Sequence, residues 1–155
     1  MLPAPMRKTL WDDDARADLL RRVSTLTPES APRWGRMNAS EMLAHVVKGM
    51  HLGLGEIEVK RRRSLFSRWP LKYLFVYWLP LPKGAPAPRE LVTRGSQHEW
   101  EANLAALRES MEVIARRDRE QLPWPAHHFF GPLSPKAWAA LGWRHLDHHL
   151  RQFGA

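Results

Sequence analysis

The 155-residue sequence lacks cysteine, and it also lacks any long apolar run. Without cysteine there are no disulfides, thiolate ligands or cysteine nucleophiles, so only His, Asp and Glu remain as plausible ligands for a transition metal. No stretch reaches the roughly 20 apolar residues that span a bilayer, and the first residues contain no apolar core of signal-peptide length. We therefore expect a protein of the cytoplasm.

The composition is that of an ordinary globular domain, with 44% hydrophobic and 26% charged residues, and we expect one domain over residues 1–155. Eight tryptophans are many for this length. We interpret them first as core residues and second as the lining of a pocket for an apolar or aromatic ligand. The net charge of +8 raises the chance of an anionic partner, although we interpret it first as a solvated basic face.

Four long segments carry helical patterns, and they predict an all-α fold arranged as a four-helix bundle. The second segment begins with Asn38 as N-cap and Glu41 three residues later, a capping-box pattern, and stops at Gly55. The fourth begins with Ser134 and Pro135, both favoured at a helix start. The predicted helices cover residues 12–26, 38–54, 96–119 and 134–154.

An insertion with a different character separates the second and third helices. It holds basic residues from Lys60 to Lys72, an aromatic stretch at 69–80 and a proline-rich connection at 81–88. The aromatic stretch predicts a short helix bounded by prolines. A lid over the bundle, a homodimer contact and a membrane-surface patch are the three interpretations that we retain.

Histidines provide the strongest chemical signal. At about 100° per residue, His149 lies about 40° from His145, and both point with Gln152 towards part of the apolar face of the last helix. His45 lies within the apolar arc of the second helix by the same measure. Three imidazoles on two helices thus face inward. A shared divalent ion would satisfy their polar nitrogens, although a single inward histidine is more often hydrogen-bonded in a core.

Five other residues near this cluster have simpler interpretations. His51 and His148 lie off the inward faces. His127 and His128 precede the last helix and could reach the mouth of the bundle, but we interpret them as exposed loop residues. Glu41 fits a capping residue better than a general base. Gln152, in contrast, could orient a ligand or hydrogen-bond an imidazole nitrogen.

Two short motifs resemble the DinB/YfiT-like superfamily, within a bacterial branch known only as a domain of unknown function. They lie at 37–45 and 144–154, and the segments 34–38 and 130–134 also look typical of that branch. The resemblance implies an up-down-down-up four-helix bundle in which one His of the second helix and a His-x-x-x-His pair of the last hold a divalent metal, zinc or nickel. The matching residues are His45, His145 and His149.

Known activities in this superfamily include metal-dependent thiol transfer. We therefore expect a metal-dependent enzyme that performs thiol transfer or hydrolysis on a small electrophilic substrate, with a low-molecular-weight thiol as a candidate partner. One alternative is a non-catalytic metal-binding or stress-response bundle. The other is a binder of nucleic acid or anionic membrane through Lys60 to Lys72, and its basic run lacks a recognised docking motif.

Overall fold

The computed structural model describes residues 8–61, 64–85, 87–92, 97–117 and 124–155. Within these ranges the chain is helical and forms no β-strand, and one isolated bridge joins His127 to Gly131. The all-α prediction is therefore confirmed. The five helices are α1 (Asp13–Val23), α2 (Ala39–Leu54), α3 (Leu71–Tyr77), α4 (Trp100–Arg116) and α5 (Pro135–Gln152).

The predicted helix ends are confirmed where local side-chain chemistry sets them. The Asn38 side chain accepts a hydrogen bond from the Glu41 backbone N–H at 2.8 Å, and the Glu41 carboxylate accepts from the Asn38 N–H at 3.1 Å. Gly55 ends α2 with a φ of +81°, in the left-handed region that favours glycine. Ser134 caps α5 by accepting from the Ala137 N–H.

The bounds of three predicted helices need correction, and the last helix ends at Gln152 rather than residue 154. The first helix ends at Val23 rather than residue 26, because the hydroxyls of Ser24 and Thr25 donate to the carbonyls of Arg21 and Arg22. Such bonds compete with the helical pattern and close the chain into a turn. Helix α4 begins at Trp100, after a 3₁₀ turn at Gln97–Glu99, and ends at Arg116. Residues 96, 118 and 119 of the predicted helix lie outside the described residues.

Helix α2 lies at the centre of the packing, against α4 and α5, while α5 also contacts α1 and α3. Removing a large apolar side chain fully from water stabilises the fold by about 1.5–3 kcal/mol, so the core aliphatics provide most of the driving force. An ion pair between Arg22 of α1 and Asp147 of α5, 2.7 Å long, ties these helices together. The largest fully buried side chains are Leu10, Leu19, Met42, Leu43, Leu107, Met111, Leu146 and Leu150.

The predicted short aromatic helix is confirmed as α3, which starts after Pro70 and ends before Pro80. Its inner face buries Val76 completely. Arg144 of α5 donates to the backbone carbonyls of Tyr77, at 3.2 Å, and Leu79, so the end of α3 is fixed to the rest of the fold. None of the helices in the described part of the chain is long and apolar enough to cross a bilayer.

Candidate metal centre

The three histidines selected from the helical angles lie together. His45 comes from α2, and His145 and His149 lie one turn apart on α5. The Nε2 atom of His145 is 3.1 Å from Nε2 of His45 and 3.2 Å from Nε2 of His149. One ligand atom from each residue can be chosen so that all lie within 4.8 Å of one another. The cluster is therefore compatible with a metal site.

The orientation of His45 is set by the backbone. Its Nδ1 lies 3.0 Å from the carbonyl oxygen of Leu91, in a 3₁₀ turn between α3 and α4. Because a carbonyl only accepts, Nδ1 carries the proton and Nε2 keeps its lone pair. That lone pair faces His145. The hydrogen bond thus selects the tautomer in which Nε2 of His45 can bind an ion.

His149 is oriented by a side chain instead. Its Nδ1 lies 2.8 Å from Oε1 of Gln152, while Nε2 of Gln152 donates to the backbone carbonyl of Trp34 at 2.9 Å. The contact with Trp34 settles which end of the amide is the donor, so Oε1 accepts from the Nδ1–H of His149. Of the two interpretations of Gln152, hydrogen bonding to an imidazole is therefore the one observed.

Two glycines leave room for this arrangement. Gly49 lies one turn after His45 on α2, and a Cβ built there would lie 3.3 Å from Cε1 and Nδ1 of His145. Gly35 has a φ of +82°, and a Cβ there would lie 2.8 Å from Nε2 of Gln152. The imidazole of His145 and the amide of Gln152 therefore occupy space that larger residues at these positions would take.

Burial keeps the cluster neutral. Burial, and after it the neighbouring His45, lower the pKa of His149 to about 3. The pKa of His145 falls well below its usual value, first through burial and then through His149 and His45. Burial also lowers the pKa of His45. Neutral imidazoles are the form that binds metals, so all three can act as ligands near pH 7.

The donor set fits a divalent transition metal. Without an ion, a proton on Nε2 of His145 can be donated to only one of its two neighbours, which leaves the other lone pair unsatisfied. Two nitrogens that each bind a tetrahedral zinc ion lie about 3.3 Å apart, close to the 3.1 and 3.2 Å measured here. Imidazole nitrogens suit zinc, copper, iron and nickel, whereas magnesium and calcium prefer oxygen ligands.

A cavity of about 860 Å³ opens beside the three imidazoles. Its wall is mostly aromatic and apolar, contributed by segments far apart in the chain. Trp34, Trp124 and Trp138 are among the lining residues, and Trp124 and Trp138 also belong to the buried core. The three imidazoles therefore lie in the wall of this cavity.

The structure corrects the prediction that His127 and His128 are exposed. Both are partly buried and line the same cavity, because the connection before α5 folds back onto that helix. The His127 ring lies 5.2 Å from the ring of Trp138, and its Nδ1 accepts from the backbone N–H groups of Phe129 and Phe130. Burial lowers the pKa of His127 to about 3.

The remaining candidates supply no ligand atom to the three-histidine cluster. Glu41 forms the capping box described above, which confirms its interpretation as a capping residue. His51 is partly buried on α2, with Nδ1 3.3 Å from Glu56. His148 contacts the rings of Trp34 and His149 edge-on and contributes no ligand atom to the cluster.

Several contributors, among them two backbone carbonyls and a glycine of α2, were not predicted from the sequence. The carbonyls of Leu91 and Trp34 are backbone atoms, which leave no signature in the sequence. Gly49 did leave a signature in the sequence. Glycine weakens a helix, so a glycine one turn from an inward histidine is a sign of close packing.

These observations define a helical protein with three neutral imidazoles at the wall of an aromatic cavity. Residues 10–155 match the family described as Protein of unknown function (DUF1569), and the chain belongs to that family. The description assigns no activity. Searches of the curated proteins and of the solved structures found no match.

Proposed function

We propose that this protein is a metal-dependent enzyme with a DinB-like fold, a single domain in which α1, α2, α4 and α5 form an up-down-down-up bundle. One divalent ion, zinc or nickel, is held by His45, His145 and His149. The observation that carries the proposal is the convergence of three Nε2 atoms, two of which have their tautomers set by hydrogen bonds to Nδ1.

The chain's own residues prepare this site for chemistry. A divalent ion held by these imidazoles would supply a Lewis acid, which would lower the pKa of a water molecule or thiol beside it. Leu91 and Gln152 hold two of the imidazoles in the ligating orientation. The mostly apolar wall of the cavity favours a low local dielectric constant beside the imidazoles, in which electrostatic interactions are stronger.

A small molecule is the substrate class that fits the cavity. Its volume of about 860 Å³ lies within the range of about 300–1,000 Å³ that is usual for such sites. Because three neutral ligands leave the charge of a dication unbalanced, an anionic group such as a thiolate is favoured at the open position. Thiol transfer to a small electrophile and hydrolysis are the two reactions that we propose.

The alternative is a metal-binding bundle without turnover. Such a protein would have its ion closed off by side chains, as in structural zinc sites. The cavity beside all three imidazoles favours the enzyme. An assay with a chromogenic aryl halide and a low-molecular-weight thiol tests transfer, and a nitrophenyl ester tests hydrolysis; activity with neither probe favours the non-catalytic bundle.

Metal analysis of untagged protein tests the common basis of both candidates. We expect about one zinc or nickel ion per chain in the wild type and loss of that ion in His145→Ala. His51→Ala is the matched control, because it removes an imidazole from α2 outside the cluster and should keep the metal. A wild type that holds no divalent ion, and gains none when zinc or nickel is added, contradicts both candidates.

A further inference from the structure

Exposed apolar side chains are concentrated on one segment. Seven large hydrophobic residues are exposed in the described part of the chain, and five of them lie between residues 65 and 78. A contiguous apolar surface in a monomer usually marks an interaction site. The five are Leu65 (66% exposed), Trp69 (76%), Leu71 (40%), Leu74 (42%) and Trp78 (55%).

Three of these residues form a stripe along α3 and its C-cap. Leu71 and Leu74 lie on the helix, and Trp78 is the C-cap residue four positions after Leu74, so the spacings of three and four keep the three on about the same side. Val76 lies on the inner side and is fully buried. Arg144 donates to the backbone carbonyl of Tyr77 and so fixes the end of the helix that carries the stripe. We call these three residues, with Leu65, Arg68 and Trp69, the α3 surface.

Positive charge is concentrated in the same part of the chain. Residues 59–89 contain eight Lys and Arg and no Asp or Glu, whereas the remaining residues contain sixteen of each sign. The whole net charge of +8 therefore comes from this segment. Arg68 lies between Leu65 and Trp69 and is exposed, as are Lys60 and Arg61.

We propose that the α3 surface docks onto an anionic phospholipid membrane. Tryptophan side chains favour the headgroup region, where Trp69 and Trp78 would lie, and the leucines would enter the boundary of the acyl chains. Basic side chains near such a surface each strengthen binding by about fivefold at moderate salt. Binding is peripheral, consistent with the absence of a spanning helix among the described helices.

The charge distribution favours a lipid surface over two other partners. A symmetric dimer through this surface would place each basic segment against its own copy, and like charges repel. Nucleic acid would meet the cations, but it offers nothing that buries Leu65, Leu71 and Leu74, since its affinity comes mainly from phosphate contacts. An anionic membrane satisfies both the apolar and the cationic side chains.

This proposal does not depend on the metal centre, because none of the α3-surface residues lines the cavity. Sedimentation with vesicles tests it directly, with phosphatidylcholine alone and with phosphatidylcholine containing about a third phosphatidylserine. We expect the wild type to sediment with the anionic vesicles, to bind the neutral ones at least about tenfold more weakly, and to bind less as salt rises.

Paired variants separate the two contributions. Arg68→Gln should weaken binding about fivefold, whereas Arg108→Gln, which removes the same charge from an exposed position on α4, should have little effect. The double variant Trp69→Ser, Leu74→Ser should weaken binding by about tenfold or more. Val113→Ser removes an exposed apolar residue from α4 and is its control. Circular dichroism verifies that each variant is folded.

Each other outcome overturns the proposal. Absence of vesicle binding, equal binding to both lipid mixtures, or equal weakening by Arg108→Gln and Arg68→Gln excludes the α3 surface as a specific anionic-lipid site. A dimer in sedimentation velocity that the double variant abolishes, without vesicle binding, assigns the surface to a second copy. Salt-dependent binding to an oligonucleotide, again without vesicle binding, assigns the basic segment to nucleic acid.

Discussion

Gln152 offers the sharpest test of how the candidate metal centre is organised. Its buried amide accepts from the Nδ1–H of His149 at 2.8 Å and donates to the carbonyl of Trp34 at 2.9 Å. Gln152→Leu removes both contacts and leaves the Nδ1–H without its acceptor. Loss of such a supporting contact typically lowers metal affinity by about 10–100-fold, equivalent to about 1.4–2.7 kcal/mol.

Stability must be measured separately from affinity in this variant. The same substitution leaves the Trp34 carbonyl without its donor, and each unsatisfied buried group costs about 1–3 kcal/mol of folding free energy. Gln152→Glu separates the two effects, because a carboxylate still accepts from His149 but cannot donate to Trp34. We expect Gln152→Glu to lose stability and to keep zinc affinity within a few-fold of the wild type.

Zinc affinity is measured by competition with a chromophoric chelator, and the free energy of unfolding by urea denaturation of the metal-free proteins. Equal zinc affinity in the wild type and Gln152→Leu would refute the reasoning, as the contact with His149 would then be irrelevant to binding. Equal loss of affinity in the Leu and Glu variants would refute it in a different way, by tracing the effect to Trp34.

Three further predictions follow from the structure. Gly49→Ala places a Cβ 3.3 Å from the ring of His145, so zinc affinity should fall severalfold. The loss is expected although alanine favours the helix by about 1 kcal/mol. Unchanged zinc affinity would show that the ring has room to move. Asn38→Ala should lower the free energy of urea unfolding by about 1 kcal/mol, and Asn38→Asp, which keeps an acceptor, by clearly less; equal losses would contradict a capping role. For His127, the unfolded chain takes up a proton below the ordinary pKa of 6.5 while the folded state stays neutral down to about 3, so the free energy of unfolding falls with falling pH in that window by about 1.4 kcal/mol per unit. His127→Gln should therefore show a shallower acid dependence than the wild type, and identical slopes would contradict the prediction.

Local chemistry made most of the fold predictable. The start of α2 follows from Asn38 and Glu41, which satisfy each other's backbone groups within four residues of chain. The end of α1 was wrong because two hydroxyls, on Ser24 and Thr25, compete with a helical pattern that apolar spacing alone would continue. A helix end that is set by neighbouring residues can be predicted from the sequence. Where a helical pattern and local side-chain hydrogen bonds compete, the spacing of apolar residues does not show which of them determines the structure.

The candidate site was likewise predictable only in part. His45 and the His145–His149 pair were predictable because helical geometry fixes the direction of each side chain before the helices pack. His127 was not, because its burial depends on a connection that folds back against Trp138 of α5. Loops usually run over the surface, and no residue spacing distinguishes one that does not.

The two hydrogen bonds that orient the imidazoles of His45 and His149 differ in how they respond to mutation. The acceptor for His149 is a side chain, so most single-codon changes at Gln152 delete it. The acceptor for His45 belongs to the backbone of Leu91 and survives any replacement there that keeps the turn and its buried packing. In a saturation scan scored by zinc retention, position 91 should accept other apolar residues of similar size, while position 152 should accept almost none. The orientation of His149 therefore depends on which residue is present at position 152, whereas the orientation of His45 depends on the backbone conformation at Leu91.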